Sequence, residues 1–185
     1  MFKKTIFILS TLLLAMPGIS QDVKKDSQKA ETKMERFASK TGMIVKFVDI
    51  KLPELKLLYG SAAETRIRKI ISGSEAHFFY QIETEGKYSS STASIEYADL
   101  LEVIKAIKSL KADVDKDASI NPDYLENKFT TTDGFQVGYF VSKGKASWYI
   151  RLEKYGSDNT IFVKDGDNIE TVFTDAKNKI EVLKQ

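Results

Sequence analysis

The chain carries one histidine, His77, and no cysteine, which leaves little from which to build a nucleophile and its base. His77 sits between Ala76 and Phe78 in a run that reads as a strand. There it is expected to serve as a surface or hydrogen-bonded residue rather than as a proton shuttle. There is no His-Glu-x-x-His pair, no Gly-x-Ser-x-Gly elbow and no glycine-rich phosphate loop, so the usual signatures of hydrolases, metalloenzymes and nucleotide binders are missing. No enzymatic activity, cofactor or metal is expected. Asp113, Asp115 and Asp117 alternate like the first ligands of an EF-hand loop, but Ala118 stands where the turn glycine belongs and Tyr124 where the bidentate glutamate belongs. Solvated charges following a helix explain that run better. Asp165-Gly166-Asp167-Asn168 reads as a turn into a helix.

Binding chemistry is better represented. Strand alternation sends neighbouring side chains to opposite faces. If Ala76, Phe78, Tyr80 and Ile82 point to the core, then His77, Phe79, Gln81 and Glu83 point away, as do Ser147, Tyr149, Arg151 and Glu153. A neighbouring strand adds Arg66, Arg68 and Ile70. Amphipathic aromatics beside arginine are the common composition of recognition surfaces. The candidate ligand-binding set is therefore Phe79, Gln81, Tyr149, Arg151, Arg66 and Arg68. The alternative is that the same face is covered by the N-terminal segment, by a curled sheet edge or by a second copy of the chain.

The elements that must hold these residues are mostly strands. Ile44 to Ile50, Leu55 to Tyr59, Thr65 to Ile71, Ala76 to Thr84 and Tyr88 to Ile95 are rich in β-branched and aromatic residues. Two stretches switch to helical spacing. Leu100, Val103, Ile104, Ile107 and Leu110 share a face between Asp99 and about Lys111, and Ile169, Val172, Phe173, Ala176, Ile180 and Leu183 share one between Asp167 and about Leu183. Each opens with Asp-x-x-Glu, Asp99 to Glu102 and Asp167 to Glu170, which reads as a capping box.

Sliding the chain over itself by 70 residues aligns Ser72 with Ser142, Ala76 with Ala146, Glu83 with Glu153 and Gly86 with Gly156. Phe78 then meets Trp148, Phe79 meets Tyr149 and Ile82 meets Leu152, with Leu55/Leu125, Tyr59/Phe129 and Ile67/Val137 further out. The expected fold is α+β: two repeated units of four strands and a helix, 41–112 and 124–185, joined by an acidic linker at 113–123. Neither unit has residues enough for a core of its own, so both should share one largely antiparallel sheet with the two helices on one face, about a pseudo-two-fold axis. In arrangement this plan resembles the saddle-shaped halves of the TATA-binding-protein fold, with no sequence motif behind the likeness.

Ahead of this domain stand Lys3-Lys4, an apolar run from Ile6 to Met16, and Gly18 and Ser20 at the −3 and −1 positions of a cut before Gln21. Residues 1–20 read as a secretory signal peptide, since a span crossing the bilayer would need ~20 apolar residues. Residues 21–40 read equally well as an amphipathic helix, with Ala30, Met34 and Phe37 on one side, or as a polar tether. Without Lys3 and Lys4, the 28 basic residues fall to 26, equal to the 26 acidic ones. A neutral chain has no bulk attraction for nucleic acid or anionic lipid. The expectation is a periplasmic or secreted, non-enzymatic binding module for a peptide, glycan, lipid or protein partner. No nucleic-acid partner and no integral membrane segment are expected. The alternative is an envelope structural protein or homodimer that buries the same face.

Overall fold

The computed structural model describes residues 31–86, 90–155 and 159–185. The predicted signal peptide, residues 21–30, Tyr88 and Gly156 lie outside them. The fold is α+β, and the described residues form two four-stranded antiparallel sheets and three helices. A short helix α1 (Lys33–Ala38) precedes β1 (Val45–Lys56), β2 (Ala62–Ser72), β3 (Glu75–Glu85) and β4 (Ser90–Glu96), which pair in sequence order as the first sheet. Helix α2 (Tyr97–Ser119) leads to β5 (Leu125–Thr130), β6 (Gln136–Ser142), β7 (Lys145–Arg151) and β8 (Thr160–Val163), the second sheet, and α3 (Gly166–Lys184) follows.

The expectation of one shared sheet is corrected here. Among the described residues the strands form two separate ladders, with one isolated antiparallel bridge between them, Leu57 to Val163. What the two sheets do share is a core. Helices α2 and α3 pack on each other; α2 also lies against β5, β6 and β7, while α3 lies against β1 and β2. Each helix thus covers strands from the other half of the chain. Leu100, Val103 and Ile107 of α2 and Ile169, Phe173 and Ile180 of α3 are buried in one cluster with Ile67, Tyr80, Val137 and Ile150. The Phe173 ring meets Tyr80 edge-on at 5.1 Å and lies 5.8 Å from Phe135. Burying apolar area from both halves at once answers the size limit on a four-strand unit.

The two central hairpins are built alike. Ser72 pairs with Glu75 across a two-residue turn in which Gly73 has φ 60°, and Ser142 pairs with Lys145 across one in which Lys143 and Gly144 have φ 54° and 69°. Positive φ at such turns matches the twist of the flanking strands. Further along, Ile67 pairs with Tyr80 and Val137 with Ile150, so the 70-residue offset holds through both hairpins. The outer strands depart from it. Leu55 pairs with Ala63, whereas Leu125 pairs with Val141, because β1 is 12 residues long with a register break between Leu52 and Leu55 and β5 has only 6. Leu55 to Tyr59 is accordingly no separate strand: Leu55 and Lys56 complete β1, and Leu58–Gly60 form a 3-10 turn with Tyr59 at φ 63°.

Two helix starts and one linker differ from the sequence reading. The N-cap of α2 is Glu96, without a side-chain cap bond, and Asp99 lies in the first turn. A carboxylate there opposes the positive end of the helix dipole and holds Lys33 Nζ of α1 at 2.7 Å. In α3 the cap is Asp165, whose Oδ1 accepts from the Asn168 amide at 2.8 Å; Asp167 follows in the first turn. Helix α2 also runs on through Asp113, Asp115 and Asp117 to Ser119, so the greater part of the expected 113–123 linker is helical. Val114 and Ala118 extend its apolar stripe, and the Tyr139 hydroxyl donates to Asp117 Oδ2 at 2.7 Å. Desolvation first, and then that carboxylate, push the Tyr139 hydroxyl up to about 12. Asp165→Ala is expected to cost ~1 kcal/mol through loss of the cap, and Asp167→Ala ~0.5 kcal/mol or less, because its pairing with Lys111 is largely exposed. Chemical denaturation of the two variants measures the difference.

Candidate functional site

The six residues singled out from the sequence fall on two faces rather than one. Arg66, Arg68, Phe79 and Gln81 lie on the outer face of the first sheet, with Arg66 opposite Gln81 and Arg68 opposite Phe79. Tyr149 and Arg151 lie on the outer face of the second, opposite Gly138 and Gln136. Alternation sends Phe78 and Trp148 to the shared core, as expected.

On the first sheet the part of the face around Phe79 is occupied, while Phe47 at the β1 side stays half exposed. Helix α1 starts at Thr32, which accepts from the Glu35 amide while the Glu35 carboxylate accepts from the Thr32 amide, a capping box that sustains a helix of only six residues. Its apolar side presses Met34 and Phe37 onto the sheet. Phe37, Ile70 and Phe79 form a small buried cluster, and Phe79 is 1% exposed. The Phe37 ring also meets His77 at 3.8 Å between ring centroids. Gln81 is buried too: its Oε1 accepts from Arg66 Nε at 2.8 Å and its Nε2 donates to Ser94 Oγ at 2.8 Å. Arg66 also pairs with Glu83, and Arg68 makes two bonds to Asp49, at 2.7 and 2.6 Å, which hold the Asp49 carboxyl below its ordinary range. Arg66, Arg68, Gln81, Glu83 and Asp49 thus satisfy one another.

Charge holds α1 in place. Lys33 reaches Asp99 and Glu96, and Lys40 reaches Glu75 at 2.6 Å. From the other half of the chain, Asp133 Oδ2 accepts from the Lys33 amide at 2.9 Å. A cleft of about 330 Å³ opens between α1, β4 and the β5–β6 turn. It is rich in acidic residues, but Asp133 is committed to α1 and Glu153 accepts from the Thr92 amide at 3.0 Å. Among the described residues no group of three or more metal-ligating side chains converges.

The outer face of the second sheet differs. It is built from Glu126 and Lys128 on β5, Gly138 and Phe140 on β6, Ser147, Tyr149 and Arg151 on β7, and Thr160 and Phe162 on β8, and no described helix packs on it. Tyr149 lies at its centre, 3% exposed, wedged among its neighbours with its hydroxyl donating to Glu126 Oε1 at 2.6 Å. Desolvation, then the Glu126 carboxylate, push the phenol well above its ordinary value. The bond in turn lowers Glu126, with help from Lys128, so the pair stays a neutral donor and a charged acceptor. Around it the aromatics are open: Tyr124 is 63% and Phe162 40% exposed. Tyr124 stacks on Phe140 at 6.3 Å, and Phe140 meets Phe162 edge-on at 6.3 Å. Arg151 Nε donates only a long bond, 3.3 Å, to Thr160 Oγ1, and among the described residues it makes no ion pair.

Tyr149 and Arg151 were legible in the sequence; Tyr124, Glu126 and Phe162 were not singled out. The polar–apolar alternation of Thr160-Ile161-Phe162-Val163 is the signal that could have placed Phe162 opposite the core. No protein-family model matches the chain, no curated protein matches it, and no solved structure matches its fold. Its surfaces must be read from their own residues.

Proposed function

We propose that this chain is a periplasmic or secreted interaction module that acts without catalysis and engages its partner through the outer face of the second sheet. One observation carries the reading: equivalent faces of the two sheets are treated differently. On the first, α1 covers Phe79 and leaves Phe47 half exposed beside Arg68, which is itself paired with Asp49. On the second, Tyr124 and Phe162 flank Phe140 with no described helix over them, and among the described residues Arg151 on the same face makes no ion pair. Clustered exposed aromatics are costly to leave in water and mark surfaces that something else covers. The shared register of the two hairpins supports an origin by duplication of a four-strand-and-helix unit about a pseudo-two-fold axis. On that view, only one copy acquired a helical cover.

A thermal-shift screen of peptides, oligosaccharides and lipids against the protein tests the reading. Hits should lose their stabilisation in a Tyr124→Ser, Phe162→Ser variant, whose own melting temperature should fall only modestly because Tyr124 is mostly exposed and Phe162 partly so, on an edge strand. A hit insensitive to that pair would place the site elsewhere, and a mass twice that of the chain in solution, lost in the same variant, would favour the homodimer. Export is tested separately: the native protein should begin at Gln21, and N-terminal sequencing that finds Met1 would refute cleavage.

A further inference from the structure

The two sheets differ at their rims as well as in their cover, and the charges say what kind of cover the second one takes. β3 and β7 each begin directly after a two-residue turn, with Glu75 and Lys145 in the same place. Glu75 holds Lys40 beside α1. Lys145 is exposed and, among the described residues, makes no ion pair. Phe79 is paired with Glu96, which holds Lys33 of α1; its counterpart Tyr149 is paired with Phe162. So where the first sheet offers two carboxylates to a basic helix, the second offers a lysine and a ring, with Arg151 further along the same strand.

Resting on the reading of this face as the binding surface, we infer that it docks an acidic amphipathic helix from a partner protein, seated as α1 is seated on the first sheet. The anchor would be one large apolar side chain, placed where Phe37 lies on Ile70 and Phe79. On the second sheet those places are Phe140 and Tyr149, and Ser147 replaces His77 under the anchor, leaving more room for the ring. Carboxylates on the helix would meet Lys145 and Arg151. A second copy's α1 fits poorly, because it brings Lys33, Arg36 and Lys40 towards these cations and its apolar side is already committed. The outer faces of the two sheets share scaffold and spacing, which favours a helix over an extended strand or a sugar chain.

The test uses the full mature chain, labelled for amide NMR, and two stapled helical peptides. One has the sequence of residues 31–40; the other carries Lys33→Glu, Arg36→Glu and Lys40→Glu. The acidic peptide should shift the amides of Phe140, Ser147 and Phe162, bind about tenfold more tightly than the native-charge peptide, and weaken in high salt. A Lys145→Glu, Arg151→Glu protein should reverse the preference. Equal binding of both peptides, or none at this face, overturns the inference. If a neutral oligosaccharide or phosphatidylglycerol vesicle shifts the same amides while neither peptide does, the face binds but not a helix. If shifts there appear only with rising protein concentration, the occupant is a second copy. If no probe touches the face, the reading on which the inference rests falls with it.

Discussion

Truncating Phe79 to alanine is expected to cost about 3 to 5 kcal/mol of stability, as much as truncating Phe78 or Trp148 on the core side of the same hairpins. Phe79 is 1% exposed because Phe37 of α1 and Ile70 of β2 close over it. A ring removed from such a place leaves a cavity that flanking strands cannot fill without breaking their ladders. Tyr149→Ala belongs with it, since that residue is 3% exposed and its loss takes from the Glu126 carboxylate one of its two partners, leaving Lys128. Urea denaturation of Phe79→Ala, Tyr149→Ala and Phe78→Ala decides the matter. If Phe79→Ala loses less than ~1 kcal/mol while Phe78→Ala unfolds the protein, α1 does not cover the first sheet in solution, and Phe79 with Gln81 returns to the list of ligand contacts. A companion variant, Phe37→Ala, separates the cover from the core: it removes the anchor of a six-residue helix while leaving both sheets and their shared cluster intact.

Much of the backbone plan was legible because it is local. The hairpins around Gly73 and Gly144 announce themselves by alternating side chains on either side of a turn, and both fold with the anticipated register. The helix starts were displaced by two or three residues, since Asp-x-x-Glu satisfies the capping pattern wherever it falls in the first turn. In α2 the displaced Asp99 is spent on Lys33, 66 residues away in sequence. The acidic run after Lys111 looked like a linker because charge masks the sparse apolar residues Val114 and Ala118, and what holds Asp117 is a tyrosine from a strand of the other half. The division into two sheets follows from which edges meet, and edges carry no sequence label. For the site, alternation correctly told which side chains leave the core. It could not tell which of two chemically similar faces is covered, because that depends on where a short N-terminal helix lands.

Gly138→Ala is the substitution expected to damage the second sheet most for its size. Overpacking a well-filled interior typically costs ~1 to 3 kcal/mol and sometimes more, and this position sits at the severe end. A Cβ built on Gly138 would stand 2.4 Å from the Asn127 carbonyl oxygen and 2.8 Å from the Lys128 Cα. Both obstacles are main chain, so no rotamer change relieves them; β5 must move away from β6. Displacing β5 also carries off Glu126, the acceptor for the Tyr149 hydroxyl, and Asn127, whose side-chain amide donates to Tyr139 at 3.2 Å. The face and the core beneath it would be disturbed together. Gly42→Ala is the contrasting control: its φ is 76°, but nothing lies within 4 Å of the added methyl, so only backbone strain of ~1 kcal/mol is at stake. Thermal or urea melts of the two variants should therefore separate widely. In Gly138→Ala the Phe140 and Phe162 amides should shift even where the fold survives, whereas comparable melts for the two would mean that β5 yields at little cost and that the glycine is not what sets the β5–β6 spacing.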